Sequence, residues 1–350
     1  MAILTTTIGA YPKPSFVPIP DWFRAEAGPD TSQPTQGYLE AIAEMGEEAD
    51  ELFALGVKEV VEDQVRAGID VPTDGEVRRE NYIHYHCRHL NGFDFENLRA
   101  KEVRGGTYSA DLPTIAGPVS AREPFLPRDW RLAQSFTGKP IKITLPGPMT
   151  IADTTVNLHY DDPRKLGADL ADALNREILA LAEAGCTWIQ VDEPVLARKP
   201  EAALDHGIEN LNRCFHGVPE GVKRVMHMCC GYPDALDRED YPKADPGCYR
   251  TLAAAVDGAA LDAVSIEDAH RPNDLALLEL FPSVSVILGV VAIAKSRVEP
   301  VEEIRARLEQ ALGHIDKARL IAAPDCGLGL LGRERAIEKL TNLSQAAKSL

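Results

Sequence analysis

Short apolar runs alternate with longer amphipathic ones along most of this chain. That alternation restricts the fold more than any other feature. The runs lie at residues 6–11, 141–145, 187–191, 224–228, 261–266, 284–291 and 320–323. Each is strand-sized and apolar enough for burial on both faces, as parallel strands are. An eighth candidate at 69–73 is interrupted by Pro72, and proline cannot donate to a ladder. The clearest helix follows Asp162-Pro163, an N-cap with proline at the first helical position. Leu166, Leu170, Leu174, Ile178 and Leu181 then form one stripe, and Gly185 closes the helix. A second stripe runs from Pro300 through Ile304, Leu308 and Leu312, and a third from about Arg333 through Ile337, Leu340 and Leu343. Eight strand candidates alternating with helices predict an α/β fold, a (βα)8 TIM barrel rather than an open doubly wound sheet. The expected organisation is one domain over residues 1–350.

Two stretches break the alternation. Residues 12–37 are rich in Pro, Gly and polar side chains and read as a long loop. Residues 92–128 carry Gly105-Gly106, several prolines and short alternating patterns. They read as an inserted hairpin or excursion between the second and third strands. Neither stretch resembles a linker between independent domains.

Charge and cysteine content narrow the function. Lys and Arg number 37 against 54 Asp and Glu, a formal net charge of −17. So acidic a chain lacks the basic footprint of a nucleic-acid binder or of a protein drawn to anionic membranes. No stretch approaches the roughly 20 apolar residues of a membrane span, and the start has no secretion signal, so the expected place is the cytoplasm. The seven cysteines are an odd number in a long chain, unlike a secreted disulfide scaffold.

The sharpest local signal is Val225-Met226-His227-Met228-Cys229-Cys230-Gly231, at the end of an expected strand. Residues i and i+2 of a strand face the same way, so His227 and Cys229 share a side and Cys230 takes the other. Imidazole and thiolate are common zinc ligands, but His-x-Cys alone is more often a pair of core residues. Two further strand ends strengthen the metal reading. Ser265-Ile266-Glu267-Asp268 supplies a carboxylate, and Pro324-Asp325-Cys326-Gly327 a second thiol. In a barrel the C-terminal strand ends carry the active site. One His, two Cys and one Glu on that rim make a four-ligand set.

Other acids gather there. Asp74-Gly75-Glu76 follows the second strand candidate and Asp192-Glu193-Pro194 the fourth. Such acids serve either a site or a helix N-terminus, and for Glu193 the two readings weigh equally. His84, His86 and His89 invite a metal reading, but His84 and His86 lie about 200° apart on a helix. They read as core or surface histidines. The glycine pattern at 327–332 lacks the βαβ setting of a dinucleotide site. No nucleophile elbow or phosphate-binding Gly-Lys loop is present.

Taken in order, these motifs resemble the C-terminal catalytic barrel of cobalamin-independent methionine synthase, over nearly the whole chain. Ile8-Gly9-Ala10-Tyr11-Pro12 resembles the family's opening Ile-Gly-Ser-Phe-Pro. The series continues through Asp74-Gly75-Glu76, His89-Leu90-Asn91-Gly92, Pro146-Gly147-Pro148-Met149-Thr150, Asp192-Glu193-Pro194, His227-Met228-Cys229, Ser265-Ile266-Glu267 and Pro324-Asp325-Cys326-Gly327. The resemblance implies a zinc ion held by His227, Cys229, Glu267 and Cys326. It implies homocysteine bound through its thiol, with Ile8, Gly9, Ala10, Glu76 and Asp192 holding its amino-acid end. The zinc-bound thiolate is then the attacking group.

Departures fall on the methyl-donor side. Thr154 stands where the family has a tryptophan that helps bind folate, and Ala294 where it has a histidine associated with protonating the folate leaving group. His270, three residues after Glu267, is a candidate replacement acid. The chain thus resembles short single-barrel relatives whose donor is a corrinoid protein or something other than folate polyglutamate. A second reading is a related zinc thiol-alkyl transferase such as epoxyalkane–coenzyme M transferase. Arg78 and Arg79 keep that reading open, because a sulfonate calls for cations. Glu76 and Asp192 favour an amino-bearing thiol instead.

Overall fold

The computed structural model describes residues 2–17, 19, 32–103 and 108–350. Ten strands occur in chain order among them. They are β1 (Leu4–Thr5), β2 (Leu90–Val103), β3 (Tyr108–Ala121), β4 (Lys142–Pro146), β5 (Val156–Asn157), β6 (Trp188–Asp192), β7 (Lys223–Met228), β8 (Ala263–Glu267), β9 (Ser285–Val291) and β10 (Leu320–Pro324). Seven form one parallel sheet in the order β1-β10-β9-β8-β7-β6-β4. Two single parallel bridges, Thr6 to Val71 and Thr73 to Lys142, connect its outer strands through residues 71–73. The result is an α/β fold on a curled parallel sheet.

The weak strand candidate at 69–73 therefore reaches the sheet only as bridges. Pro72 has no N–H to donate. Its carbonyl still accepts from Lys142 N at 2.9 Å, and Val71 N donates to Thr5 O at 3.0 Å.

The first strand is displaced from its expected place. The apolar run at 6–11 is not a strand beyond Thr6, and β1 lies just before it. From Ile8 onward the backbone bonds to loops and side chains instead. Gln190 Nε2 donates to Ile8 O and Thr73 Oγ1 to Gly9 O. Tyr11 N donates to Gly75 O and Leu328 N to Ala10 O. The apolar run is buried because it crosses the end of the sheet.

Helices cover the outside. In Pro163–Ala184 the Asp162 side chain accepts from Arg164 N, and Gly185 ends the helix at φ 108°, where a Cβ would be strained. The five expected stripe residues are all buried. In Val301–Ala311, Ile304 and Leu308 are buried. In Arg333–Lys348, Leu340 and Leu343 are buried while Ile337 is only half-buried. The loop expected over 12–37 is cut short by a helix, Ser32–Met45. Tyr38, Ile42 and Met45 recur at helical spacing and pack against the core. Positions 18 and 20–31 of that stretch, and Gly105-Gly106, lie outside the described residues.

The main core lies between sheet and helices. A smaller cluster of Ile8, Val225, Ala263, Ile287, Ile321 and Ala323 fills the inside of the curl. Antiparallel β2 and β3 stand apart from the main sheet, and β3 also pairs with β5. Their Val103 and Leu112 reach over the C-terminal strand ends and line the cleft there. No helix among the described residues is long and apolar enough to cross a membrane.

Candidate active site

The cleft at the C-terminal strand ends is lined by Ile8, Gly9, Ala10, Glu76, Asp192, His227, Cys229 and Cys326, among others. Adjacent parallel strands bring them together, since Asp192 is in register with His227 and His227 with Ser265. The pairing of β10 shifts between Ala323 and Pro324, an irregularity of the kind that re-aims side chains beside active sites. Cys326 follows directly.

One ligand atom from each of His227, Cys229 and Cys326 lies within 4.8 Å of the others. His227 Nδ1 contacts Ser265 Oγ at 3.0 Å, and Nε2 faces Cys326 Sγ at 3.3 Å. A partner on one ring nitrogen fixes which nitrogen faces a metal. A hydrogen bond from Cys326 pulls the Cys229 pKa well below its usual value, against burial, while Cys326 is pushed up. The pair favours one thiolate beside the imidazole. Two sulfurs and one imidazole at this spacing fit zinc by chemistry and by reach. Cys230 faces away, as strand alternation predicts, with its Sγ 3.7 Å from Cys248 Sγ.

Glu267 stands apart from this group. It ends β8 and is buried. Its Oε1 is 2.7 Å from Lys243 Nζ, and its Oε2 accepts from Cys230 N at 3.1 Å. Burial raises its pKa, with Lys243 opposing. Three of the four expected ligands thus converge, and the fourth is engaged by a lysine.

Glu76 and Asp192 face the same cleft. Glu76 accepts from Thr144 Oγ1 at 2.8 Å and lies 3.4 Å from Arg79 Nη1. Its backbone holds a φ of 57°, a left-handed conformation that costs a non-glycine residue about 1 kcal/mol or more. A Cβ built on Gly9 would sit 2.5 Å from Glu76 Oε1. Only glycine admits the carboxylate so close. Asp192 accepts from Gln190 Nε2 at 2.7 Å. Burial pushes its pKa up to about 7, with His227 opposing and Glu76 adding. A cationic ligand group between the two acids would relieve both.

The arginines that kept a sulfonate reading open are committed. Arg79 is buried, donates to Thr144 O and lies beside Asp74 and Glu76. Arg78 lies against the Phe53 ring and pairs with Asp50 and Asp129.

Other candidates resolve into structure. Glu193 accepts from Met149 N, Thr150 N and Thr150 Oγ1, capping the helix Pro148–Asp153 from outside it. His84 bonds Thr35 Oγ1 and Thr154 O, His86 bonds Tyr82 O, and His89 stacks on Phe125. His270 is a correction. Its Nε2 accepts from Ile293 N and Ala294 N at 3.1 and 3.2 Å, and burial pushes its pKa down to about 3. That nitrogen carries no proton to give, so the acid role is not retained.

Sequence reasoning missed Tyr82, Arg198, Tyr232, Val103 and Leu112 as cleft-lining residues. None lies at the end of a main-sheet strand, so the rim argument had no reason to select them. It also missed Lys243, which sits in an irregular stretch without a pattern.

The motif order, the curled sheet and the converging His and Cys residues all point one way. A family model described as "Cobalamin-independent synthase, Catalytic domain" matches residues 3–349. The chain belongs to this family. Its relatives include a methionine synthase of Saccharolobus solfataricus, 32% identical over 98% of this chain and 93% of that protein. One from Thermococcus kodakarensis is 30% identical over 97% and 90%. Among solved structures, a B12-independent methionine synthase from Shewanella sp. W3-18-1 in complex with selenomethionine superposes with a TM-score of 0.85. It is 28% identical and covers 100% of this chain and 98% of that one. A putative B12-independent methionine synthase from Listeria monocytogenes, 18% identical with a TM-score of 0.73, shows the same fold.

Proposed function

We propose that this chain is a single-domain, zinc-dependent methyltransferase that converts homocysteine to methionine. In this reading residues 1–350 form one (βα)8 barrel, with the β2–β3 hairpin inserted between its second and third strands. The observation that carries the reading is the convergence of His227, Cys229 and Cys326 in one cleft with the buried acids Glu76 and Asp192. A soft metal site and a cation site share one cleft, which matches a ligand bearing both a thiol and an ammonium.

His227, Cys229 and Cys326 would hold zinc, with Glu267 as the fourth and hardest donor, the one most readily exchanged for sulfur. Zinc, when bound, would lower the thiol pKa so that the sulfur is a thiolate at neutral pH. Glu76 and Asp192 would hold the substrate ammonium, and backbone at Ile8, Gly9 and Ala10 its carboxylate. These contacts aim the sulfur at the donor methyl. A sulfur–carbon bond forms as the donor–methyl bond breaks, and the donor leaves with the bonding pair.

The donor side supports a methyl source other than folate polyglutamate. Thr154 offers no aromatic face, and its hydroxyl is turned to Thr150 O at 2.7 Å. Ala294 has no proton to give. A folate leaving group needs that proton, and general-acid help is worth about 10²–10⁴ in rate. A methylated corrinoid needs none. Arg78 and Arg79 are committed elsewhere, and the cleft-lining Arg198 is paired with Asp153 at 3.4 Å, which disfavours a sulfonate ligand.

The test is calorimetric titration of zinc-loaded protein with homocysteine and with coenzyme M, after metal analysis. One zinc per chain, with binding of homocysteine and none of coenzyme M, is the expected result. In the second stage homocysteine is offered methylcobalamin or methyltetrahydrofolate. Faster turnover with methylcobalamin is expected, and efficient folate-dependent turnover by the protein alone would overturn the donor assignment.

A further inference from the structure

Lys243 has no part in the reading above, yet it holds the carboxylate of Glu267. It sits in the irregular segment between β7 and the helix Cys248–Asp257. That segment is tied to the strand end that carries the thiols. Ala244 N donates to Cys230 O at 2.7 Å, and Arg271 Nη1 to Ala244 O at 2.8 Å. Lys243 Nζ also lies 5.1 Å from the centre of the Tyr241 ring. The ammonium is thereby fixed beside the cleft.

Glu267 is fixed in turn. Its backbone N–H donates to Tyr249 Oη at 3.1 Å, and its carbonyl accepts from Asn273 Nδ2 at 2.7 Å. Its side chain is held between Lys243 Nζ at 2.7 Å and Cys230 N at 3.1 Å. The carboxylate therefore has a fully bonded seat that is separate from the His227–Cys229–Cys326 cluster.

We propose that Lys243 is a positioning residue that makes Glu267 the detachable member of the donor set. It receives the carboxylate when a substrate thiol takes its place. This rests on reading the cluster as a zinc centre for a thiol. The charge count supports it. Two thiolates and one carboxylate against a divalent ion leave one net negative charge, and Lys243 cancels it. When a substrate thiolate replaces the carboxylate, the released Glu267 still has its cation. Without Lys243 the released carboxylate would be buried and unpaired, which is strongly unfavourable.

The experiment compares wild type, Lys243→Met and Lys243→Arg. Cobalt replaces zinc, so that the visible spectrum reports each ligand. Chelator competition gives metal affinity, and a homocysteine titration read by sulfur-to-metal absorption gives thiol affinity. Lys243→Met is expected to keep metal affinity while binding homocysteine about 10–100-fold more weakly, the range seen when outer partners of metal ligands are lost. Lys243→Arg restores thiol binding. Should the Met variant fold poorly by circular dichroism, Lys243→Gln serves in its place. Unchanged homocysteine affinity would overturn the role, and so would a parallel loss of metal and thiol affinity, which would make Lys243 part of the site's framework. A wild type that gains no sulfur ligand overturns the thiol-centre reading itself and the role of Lys243 with it. The two failures are thus separable by whether the wild type responds.

Discussion

The two walls of the cleft are built on different terms. One wall is made of the strand ends from β6 to β10. Its His227, Cys229, Cys326 and Asp192 are buried or nearly so, and neighbouring polar groups fix them. The facing wall comes from the helices Tyr82–Arg88 and Pro148–Asp153 and from the β2–β3 hairpin. It presents Val103 and Leu112, and two of its polar side chains are turned to nearby backbone, Thr154 to Thr150 O and His84 to Thr154 O. Charge chemistry is concentrated on the first wall. The second offers shape and apolar surface, so it governs which donor fits rather than how the thiol is activated.

The strongest way to break this contrast is to remove a sulfur from the first wall. Cys326→Ser should lower metal affinity by more than about a hundredfold, beyond the usual range for outer partners, and abolish turnover. Circular dichroism should show an intact fold, and elemental analysis should show the metal lost. Normal metal content in that variant would remove Cys326 from the ligand set.

Glu76→Gln comes next. A hydrogen bond to a charged group is worth about 1.5–3 kcal/mol. The variant should lose about 10–100-fold in kcat/KM for homocysteine, at unchanged metal content. An equal loss with a thiol that lacks the amino group would mean that Glu76 does not read the ammonium.

A third test concerns a charge buried in β4, away from both walls. Lys142 is fully buried, and its Nζ has no hydrogen-bond partner among the described residues. Burial pushes its pKa down to about 7, with Asp192 opposing. The folded value lies below the unfolded one, so the cost of this lysine grows as pH falls from about 10.5 to 7 and is constant below that. Lys142→Met should therefore stabilise the protein by about 2 kcal/mol or more at pH 7, and by little near pH 11. Denaturant unfolding at both pH values measures this, and a destabilised variant at pH 7 would contradict it.

The smallest effect belongs to the second wall. Thr154→Trp supplies a stacking face worth on the order of 1 kcal/mol, so methyltetrahydrofolate turnover should rise by less than about tenfold, because no acid is restored. A much larger gain would mean that stacking alone, and not the missing proton donor, limits folate use.

The same contrast explains what could be read from sequence. The first wall is made of strand ends, where period-2 alternation and a fixed rim convert residue order into geometry. His227, Cys229, Cys326 and Asp192 were found that way. Glu267 was selected by the same rule, but it pairs with Lys243 apart from the converging group, and that lysine sits in an irregular segment that carries no pattern. The second wall is built from a hairpin and short helices whose approach to the rim depends on packing over long sequence separations. Val103 and Tyr82 carry no local mark of their place. The first strand was misplaced for a related reason, since burial of residues 6–11 looks the same whether they run within a sheet or across its end. His270 failed as an acid because two backbone N–H groups, invisible in the sequence, already occupy its ring nitrogen.

The two single bridges at residues 71–73 give the sheet one thin seam. Elsewhere neighbouring strands share runs of paired residues, but here, among the described residues, the ladder is reduced to the single bridges Thr6 to Val71 and Thr73 to Lys142. Local opening draws on the least-supported backbone hydrogen bonds, so amide hydrogens at Val71 and Lys142 should exchange with solvent sooner than those in β7 or β9. Gly9 and Glu76 follow the two segments joined by the Thr6–Val71 bridge. A ligand that touches both would tie those segments together, and slower exchange at Val71 would register its arrival even where no bond is made or broken.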